Sequence, residues 1–208
     1  MNAALVAGWL AVSPAAACSP PPRLDVAVVA GHTPPVVRSG HSLHRLREAA
    51  ARAGHKGRHA PLGFYAGVFG YTVEVAAEGT GTPGCAATVH VRVSMVLDDR
   101  VVEVGADLGD RGCRPDAVLS HYLLYARQDD RLLSRYARRA SAMFDRMPPA
   151  SLLGAPGRGD VESRVAAAVR RAMDDLLRPY DDDRARALDA ADSDEELDRL
   201  REACGRAP

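Results

Sequence analysis

A strict alternation of apolar and polar residues runs from position 88 to position 95. Successive side chains of an extended chain point to opposite faces, so this pattern predicts a half-buried β-strand with one face on a core. Further strands are predicted over residues 24–30 and 69–78, and residues 98–100 are interpreted as a turn before a partner strand over 101–107. We expect these segments to form an antiparallel sheet of at least three strands. The core face of the central strand comprises Val89, Val91, Val93 and Met95, and its polar face comprises Thr88, His90, Arg92 and Ser94.

A short amphipathic helix is predicted between the first two strands. Ser42 is a suitable N-cap, and Gly54 is a suitable C-terminal stop. Leu43 and Leu46, with neighbouring alanines, give the helix its apolar face.

A long helical region is predicted from Pro115 to about residue 147. Proline is tolerated in a first helical turn, and Asp116 is favourable near the positive end of the helix dipole. The first half, AVLSHYLLYA, is apolar on nearly every side, which indicates a buried central helix. Residues 127–131 are all polar, so we expect this stretch to reach the surface, and a bend or break before residue 132 is left open as an alternative.

Residues 149–208 are predicted to form a helical extension. Residues 148–159 contain the prolines and glycines of a linker, and helices are predicted within 160–177 and 192–204. The acidic run 181–183 is interpreted as a solvated loop. The predicted fold class is therefore α+β, with a small antiparallel sheet packed on a buried central helix and additional C-terminal helices. The predicted organisation is a signal peptide over 1–17, an α+β domain over 18–148, and a helical extension over 149–208 packed on the same domain.

The first 17 residues resemble a secretory leader. An apolar run over residues 3–12 precedes Ala15-Ala16-Ala17, which fits an A-x-A cleavage site. The run is too short to cross a bilayer as a helix, so no transmembrane span is expected in the mature chain. The predicted location is secreted or periplasmic, and Cys18 directly after the small residues leaves lipoprotein processing open as an alternative.

The chain has four cysteines, an even number that suits disulfides in an exported protein. Cys85 and Cys113 bracket a predicted hairpin, whereas Cys18 and Cys204 lie near the two ends of the chain. We expect the pairs Cys85–Cys113 and Cys18–Cys204. No C-x-x-C spacing is present, which disfavours a zinc ribbon or a thioredoxin-like site.

Charge composition disfavours nucleic acid as a partner. Lysine plus arginine number 27 and aspartate plus glutamate number 27, so no global positive field is available to attract nucleic acid or an anionic membrane. An unidentified protein or peptide is the expected partner.

The chemically informative segment is His121-Tyr122-Leu123-Leu124-Tyr125. In H-E-x-x-H metallopeptidases two histidines four residues apart bind zinc from one helix face, and the intervening glutamate acts as general base. Only His121 matches this frame, because Tyr122 stands at the glutamate position and Tyr125 at the second histidine position. A tyrosine has a reference pKa near 10, so at neutral pH it is protonated and a poor base or ligand. A lone histidine on an apolar helix is more often a hydrogen-bonded core residue than a ligand.

Other histidines offer a weaker metal hypothesis. His41 and His44 lie three residues apart on the first helix, and His55 and His59 lie in a basic loop. They could join His121 in a metal site, but no carboxylate or cysteine completes a known ligand spacing, which favours surface histidines.

The order of these features resembles that of bacterial predicted secreted zinc-dependent proteases, small exported proteins of largely unknown function. The resemblance covers most of the mature chain. Its elements are a leader, a strand leading into Cys85, the valine-rich strand, and the segments SGHSLHRL, DDRVVEVGADL, GDRGCRPDAVLSHYLLYARQDDRLL and DSDEELDRLREAC. The family core is a cysteine shortly before the H-E-x-x-H helix and an acidic residue after it. Cys113, His121 and Asp129 stand at those positions, whereas Tyr122 and Tyr125 depart from the pattern. The resemblance implies a zincin-like fold whose edge strand borders a cleft suited to an extended peptide.

Three hypotheses follow from these observations. The first is an exported, disulfide-stabilised zincin-like protein that is not an enzyme and has a binding or envelope-associated role; it needs no metal or other cofactor. The second is a zinc-dependent peptidase or other metallohydrolase with a non-standard site around His121, including Tyr125, Asp129 or Asp130. The third is a structural or interaction module without a metal site.

Overall fold

A computed structural model describes residues 22–52, 61–79, 86–153 and 160–205. The predicted leader, Cys18, Gly54, His55, His59 and Cys85 lie outside these residues. In chain order the elements are β1 (Arg23–His32), β2 (Val36–Arg38), α1 (Leu43–Arg52), β3 (Gly63–Gly79), β4 (Ala86–Val104), α2 (Pro115–Arg146), α3 (Pro149–Leu153), α4 (Val161–Leu177), α5 (Tyr180–Asp189) and α6 (Asp194–Ala203).

The four strands form a mixed sheet with β4 at its centre. β3 pairs with β4 antiparallel, whereas β1 and β2 both pair with the other side of β4 in parallel. The general α+β class is confirmed, but the prediction of an antiparallel sheet is wrong for β1 and β2. A parallel neighbour needs a long crossover, and the chain between β1 and β4, which contains α1 and β3, provides it.

The predicted turn at residues 98–100 is a β-bulge within one continuous strand. Between Ala66 and Val68 of β3 the pairing with β4 shifts, and Asp99 adopts a positive φ of 50°. An extra residue on one strand reverses the side-chain alternation beyond it. Arg100 therefore faces the interior and is only 2% exposed. Alternation and turn-forming residues cannot by themselves distinguish a bulge from a hairpin turn.

The main core lies between one face of the sheet and the helices. The predicted buried face of β4 is confirmed, with its four apolar residues at most 2% exposed. α2 contacts β1 and β4, and α4 packs against β3. Burial of this apolar surface is the main driving force for holding helices on a sheet. The helical side chains in this core include Leu132, Leu133, Tyr136, Val165, Val169 and Met173.

The predicted short helix is confirmed as α1. Leu43 and Leu46 are buried on its inner face, and the Ser42 hydroxyl accepts a hydrogen bond from the Arg45 N–H at 3.4 Å. Asp107, beyond the end of β4, accepts a second bond from the Leu43 N–H at 2.7 Å. These contacts hold the start of α1 against the end of β4.

α2 is a single continuous helix of 32 residues, so the alternative of a break before residue 132 is wrong. The polar residues divide between faces: Arg127 and Arg131 are exposed, whereas Asp129 is 1% exposed. Arg184 pairs with the buried Asp129, and the buried Arg100 pairs with the half-buried Asp130, so charged residues on the inner side of α2 have ion-pair partners.

The C-terminal helices pack on the same core. The acidic run 181–183 is the first turn of α5, so its interpretation as a loop is wrong. Acidic residues are favourable in a first turn, and Tyr180, which is 3% exposed, anchors this helix by stacking on Phe69. None of the helices in the described residues combines the length and apolarity needed to cross a membrane.

Candidate functional site around His121

His121 lies on the second turn of α2 and is 3% exposed. Its Nδ1 is 3.1 Å from Glu196 Oε1, and its Nε2 is 3.2 Å from the Tyr125 hydroxyl. Nε2 also lies 3.4 Å from Asp192 Oδ1. Both ring nitrogens thus face protein oxygen atoms.

The start of α6 supplies the two carboxylates around His121. Ser193 is the N-cap, and its hydroxyl accepts from the Glu196 N–H at 3.3 Å. This bond fixes the first turn and brings Glu196, at the third helical position, onto the His121 ring. Glu196 also accepts a hydrogen bond from Arg199 at 2.6 Å. The acidic neighbours of His121 therefore come from a distant part of the chain, Glu196 from a position 75 residues further along and Asp192 from just before α6.

Tyr122, at the position of the catalytic glutamate in H-E-x-x-H helices, binds backbone. Its hydroxyl accepts from the Gly63 N–H at 3.0 Å, which fastens α2 to the start of β3. A Cβ on Gly63 would lie 2.3 Å from the Glu103 carbonyl oxygen and 2.7 Å from the Tyr122 ring, so this close approach requires glycine. Burial raises the pKa of Tyr122 to about 12, and the side chain is therefore a hydrogen-bonding group rather than a base.

Tyr125 connects His121 to Asp192. Its hydroxyl donates to Asp192 Oδ1 at 2.5 Å. Burial, and next the hydrogen bond to Asp192, raise the pKa of Tyr125 well above its ordinary value of 10.0. A tyrosine must lose its proton to bind a metal well, so this environment opposes a ligand role for Tyr125. The rings of His121, Tyr122 and Tyr125 pack edge to face, with centroids 5.0–5.6 Å apart.

A disulfide joins Cys113 to Cys204, so the predicted pairs Cys85–Cys113 and Cys18–Cys204 are wrong. The bond connects the segment before α2 to the end of α6. Beside it, the Arg114 N–H donates to the Ala203 carbonyl at 2.9 Å. The disulfide thus holds α6, and with it Glu196, against α2. Proximity of the chain termini is a weak guide to pairing, whereas this pairing depends on the packing of α6.

Asp129 belongs to a different cluster from His121. Eight residues of helix separate the two positions, a rise of about 12 Å. Asp129 accepts two hydrogen bonds from Arg184, at 2.9 and 2.7 Å, and one from the Tyr65 hydroxyl at 2.8 Å. The structure therefore does not bring Asp129 to His121.

Arg100 is a buried charged residue whose position in the core was not predicted from the sequence. Its guanidinium pairs with Asp130 at 3.0 Å and donates to the Ala126 carbonyl at 2.8 Å. It also contacts the Tyr65 hydroxyl, His32 Nδ1 and the Thr33 carbonyl. The available signal was the Asp98-Asp99-Arg100 run, which as a bulge would have placed Arg100 on the core face. The many contacts of Arg100 fasten β4 to α2.

The other histidines of the described residues have separate partners. His41 pairs with the buried Glu103, and His44 pairs with Glu48 at 3.2 Å. On the open face of the sheet, His90 lies between Asp25 at 3.4 Å and Glu78 at 3.5 Å. The structure does not bring these histidines to His121, and the described residues contain no cluster of three or more potential ligands arranged for a metal ion.

Comparisons of the chain with protein-family models, with curated proteins and with solved structures found no match. The resemblance to secreted zinc-dependent proteases therefore stays a prediction from the sequence.

Proposed function

We propose that this chain is a non-catalytic, zincin-like protein of an exported compartment, in which the former metal-binding position serves to hold the fold together. The observation that carries the proposal is the pairing of both His121 nitrogens with oxygen atoms of Glu196 and Tyr125. A histidine ligand needs one nitrogen directed at the metal, whereas here Nδ1 faces Glu196 of α6, and Nε2 faces Tyr125 of α2 and Asp192 just before α6.

The chemistry at the two tyrosines supports the same proposal. A zinc peptidase needs a carboxylate that takes a proton from bound water. Tyr122 keeps its proton at physiological pH because burial raises its pKa to about 12, and its oxygen accepts from Gly63. No general base is then available at that position of the helix.

The proposed role is the binding of an extended peptide at β3. This strand has 17 residues and, among the described residues, pairs only with β4, which leaves its other edge for strand addition. Two large apolar side chains on β3, Phe64 and Val68, are 40% and 59% exposed and would contact such a peptide.

A metallohydrolase is the second candidate, because Asp192 and Glu196 both bring carboxylates to His121. Metal analysis of the full chain, purified without chelator, separates the two candidates. Stoichiometric zinc, with peptidase activity that a chelator removes, would overturn the non-catalytic proposal.

The proposal that α2 corresponds to a zinc-binding H-E-x-x-H helix is tested by introducing the glutamate and the second histidine of that motif. Tyr122→Glu combined with Tyr125→His should give a protein that binds zinc, measured by calorimetry. Tyr125→His alone is the second variant, since it creates a histidine pair one turn apart and keeps Tyr122 bound to Gly63. Adding His121→Ala to either variant should abolish binding. Folded variants that bind no zinc would contradict the zincin-like part of the proposal and favour a structural module.

A further inference from the structure

Four arginines form a line on the outward face of α2. They recur at intervals of four, four and three residues, which places them on one side of the helix over a length of about 16 Å. All four are exposed. We call them the arginine row; its members are Arg127, Arg131, Arg135 and Arg138.

The arginine row has no ion pair with the described residues, in contrast to several exposed arginines on neighbouring helices. On neighbouring helices, Arg178, Arg186 and Arg199 each pair with a carboxylate three residues away. The acidic residues next to the row, Asp129 and Asp130, are instead bound by Arg184 and by the buried Arg100.

Helix stability does not account for the arginine row. Like charges three or four residues apart on a helix repel one another. The dipole favours cations only in the last turn, whereas Arg138 lies two turns before the end of α2 at Arg146. An anionic partner would remove this repulsion.

The surface that continues the arginine row is partly apolar. Three arginines of the row, Arg131, Arg135 and Arg138, line a shallow groove of about 330 Å³ with Asp130 and Ser134. A second depression of about 450 Å³ follows along the same helix, lined by Arg139, Ala142, Met143, Arg146 and Met147. Cationic side chains beside aliphatic and thioether groups match an amphiphile with an anionic headgroup.

We propose that the arginine row docks this protein on an anionic phospholipid bilayer. The outward face of α2 points away from the core, so a flat surface can meet all four guanidinium groups together. Neither depression contains an aromatic side chain on which bases could stack, which disfavours single-stranded nucleic acid as the anionic partner. The proposal goes beyond the one made for His121 and is independent of it.

Vesicle co-sedimentation of the full chain tests the proposal, with phosphatidylglycerol-containing vesicles compared with pure phosphatidylcholine vesicles. Each basic residue near an anionic surface is worth roughly a fivefold change in affinity. The variant R127Q/R131Q/R135Q/R138Q should therefore bind anionic vesicles on the order of several hundred times more weakly. Binding of the unaltered chain should also weaken at high salt, because screening reduces interactions between exposed charges.

The matched control is R45Q/R47Q/R170Q/R171Q, which removes the same charge from four other exposed arginines and should keep most of the binding. Circular dichroism and thermal unfolding should show that the row variant folds and is at least as stable as the unaltered chain. No binding to anionic vesicles, or equal losses in both variants, would overturn the proposal. Tighter binding to a DNA duplex than to vesicles would assign the row to nucleic acid instead.

Discussion

Replacing His121 with alanine removes the side chain that joins α2 to α6 inside the structure. Two hydrogen bonds are lost, to Glu196 and to Tyr125, at a net cost of about 1 kcal/mol each. The space left between the rings of Tyr122 and Tyr125 adds roughly 1–2 kcal/mol, because packed surroundings relax only partly. The free energy of unfolding should therefore fall by about 3 kcal/mol, a large part of the typical 5–15 kcal/mol of a domain.

Equilibrium unfolding in urea measures this loss. With a slope near 2 kcal/mol/M the midpoint should fall by about 1.5 M at unchanged slope. His121→Gln, which keeps an amide able to bond one partner, should lie between the alanine variant and the unaltered chain.

His90→Ala is the matched control. His90 is nearly half exposed and contacts two exposed carboxylates, so its loss should cost within about 0.5 kcal/mol. The reasoning is refuted if His121→Ala costs less than about 1 kcal/mol. A midpoint of the unaltered chain that rises with zinc and returns with chelator would instead identify His121 as a ligand.

Three further predictions concern the rest of the fold. Replacing Cys113 and Cys204 with serine should lower stability by about 4–5 kcal/mol in thermal or urea unfolding, since the crosslink spans 91 residues; an unchanged midpoint would contradict a formed disulfide. Asp99→Gly should raise stability by up to about 1 kcal/mol, because glycine accepts a positive φ without strain, and Asp99→Val should lower it; equal urea midpoints would argue against the bulge. Two hydrogen bonds lower the pKa of Asp160, first the one from the Ser163 side chain and next the one from the Glu162 N–H. The stability that this carboxylate contributes to the fold is therefore complete at pH values above its ordinary pKa of 3.8, and it is lost as the pH falls through the lower pKa of the folded state. Asp160→Asn should therefore lose less stability than the unaltered chain between about pH 5 and about pH 2, as measured by urea midpoints, and an identical pH profile would count against this capping role.

Local patterns predicted the parts of the fold that depend on nearby residues. The buried face of β4 follows from a two-residue period, and Leu43 and Leu46 of α1 follow from a helical one. The same reasoning failed where a local feature allowed two geometries. The run at Asp99 suits a turn or a bulge, and only its pairing with β3 selects the bulge.

At the candidate site, too, one part could be predicted from the sequence and another part depends on tertiary packing. The frame around His121 was visible as a spacing on one helix, together with the tyrosines that remove its base and second ligand. The partners Asp192 and Glu196 were not predicted as neighbours of His121, because they lie just before and within a helix more than 70 residues away. Sequence spacing places residues on one element but carries no information about which distant element packs against it.

The sequence by itself determined which residues of each element are apolar, where helices can begin, and that position 122 lacks a carboxylate. Tertiary structure alone decided that β1 runs parallel to β4, that Arg100 turns inward, and that Cys113 bonds Cys204. Periodicity and capping act within one element, so they can be read along the chain. Strand direction, buried ion pairs and disulfide pairing depend on free energies shared between distant segments, and these are fixed only when the core forms.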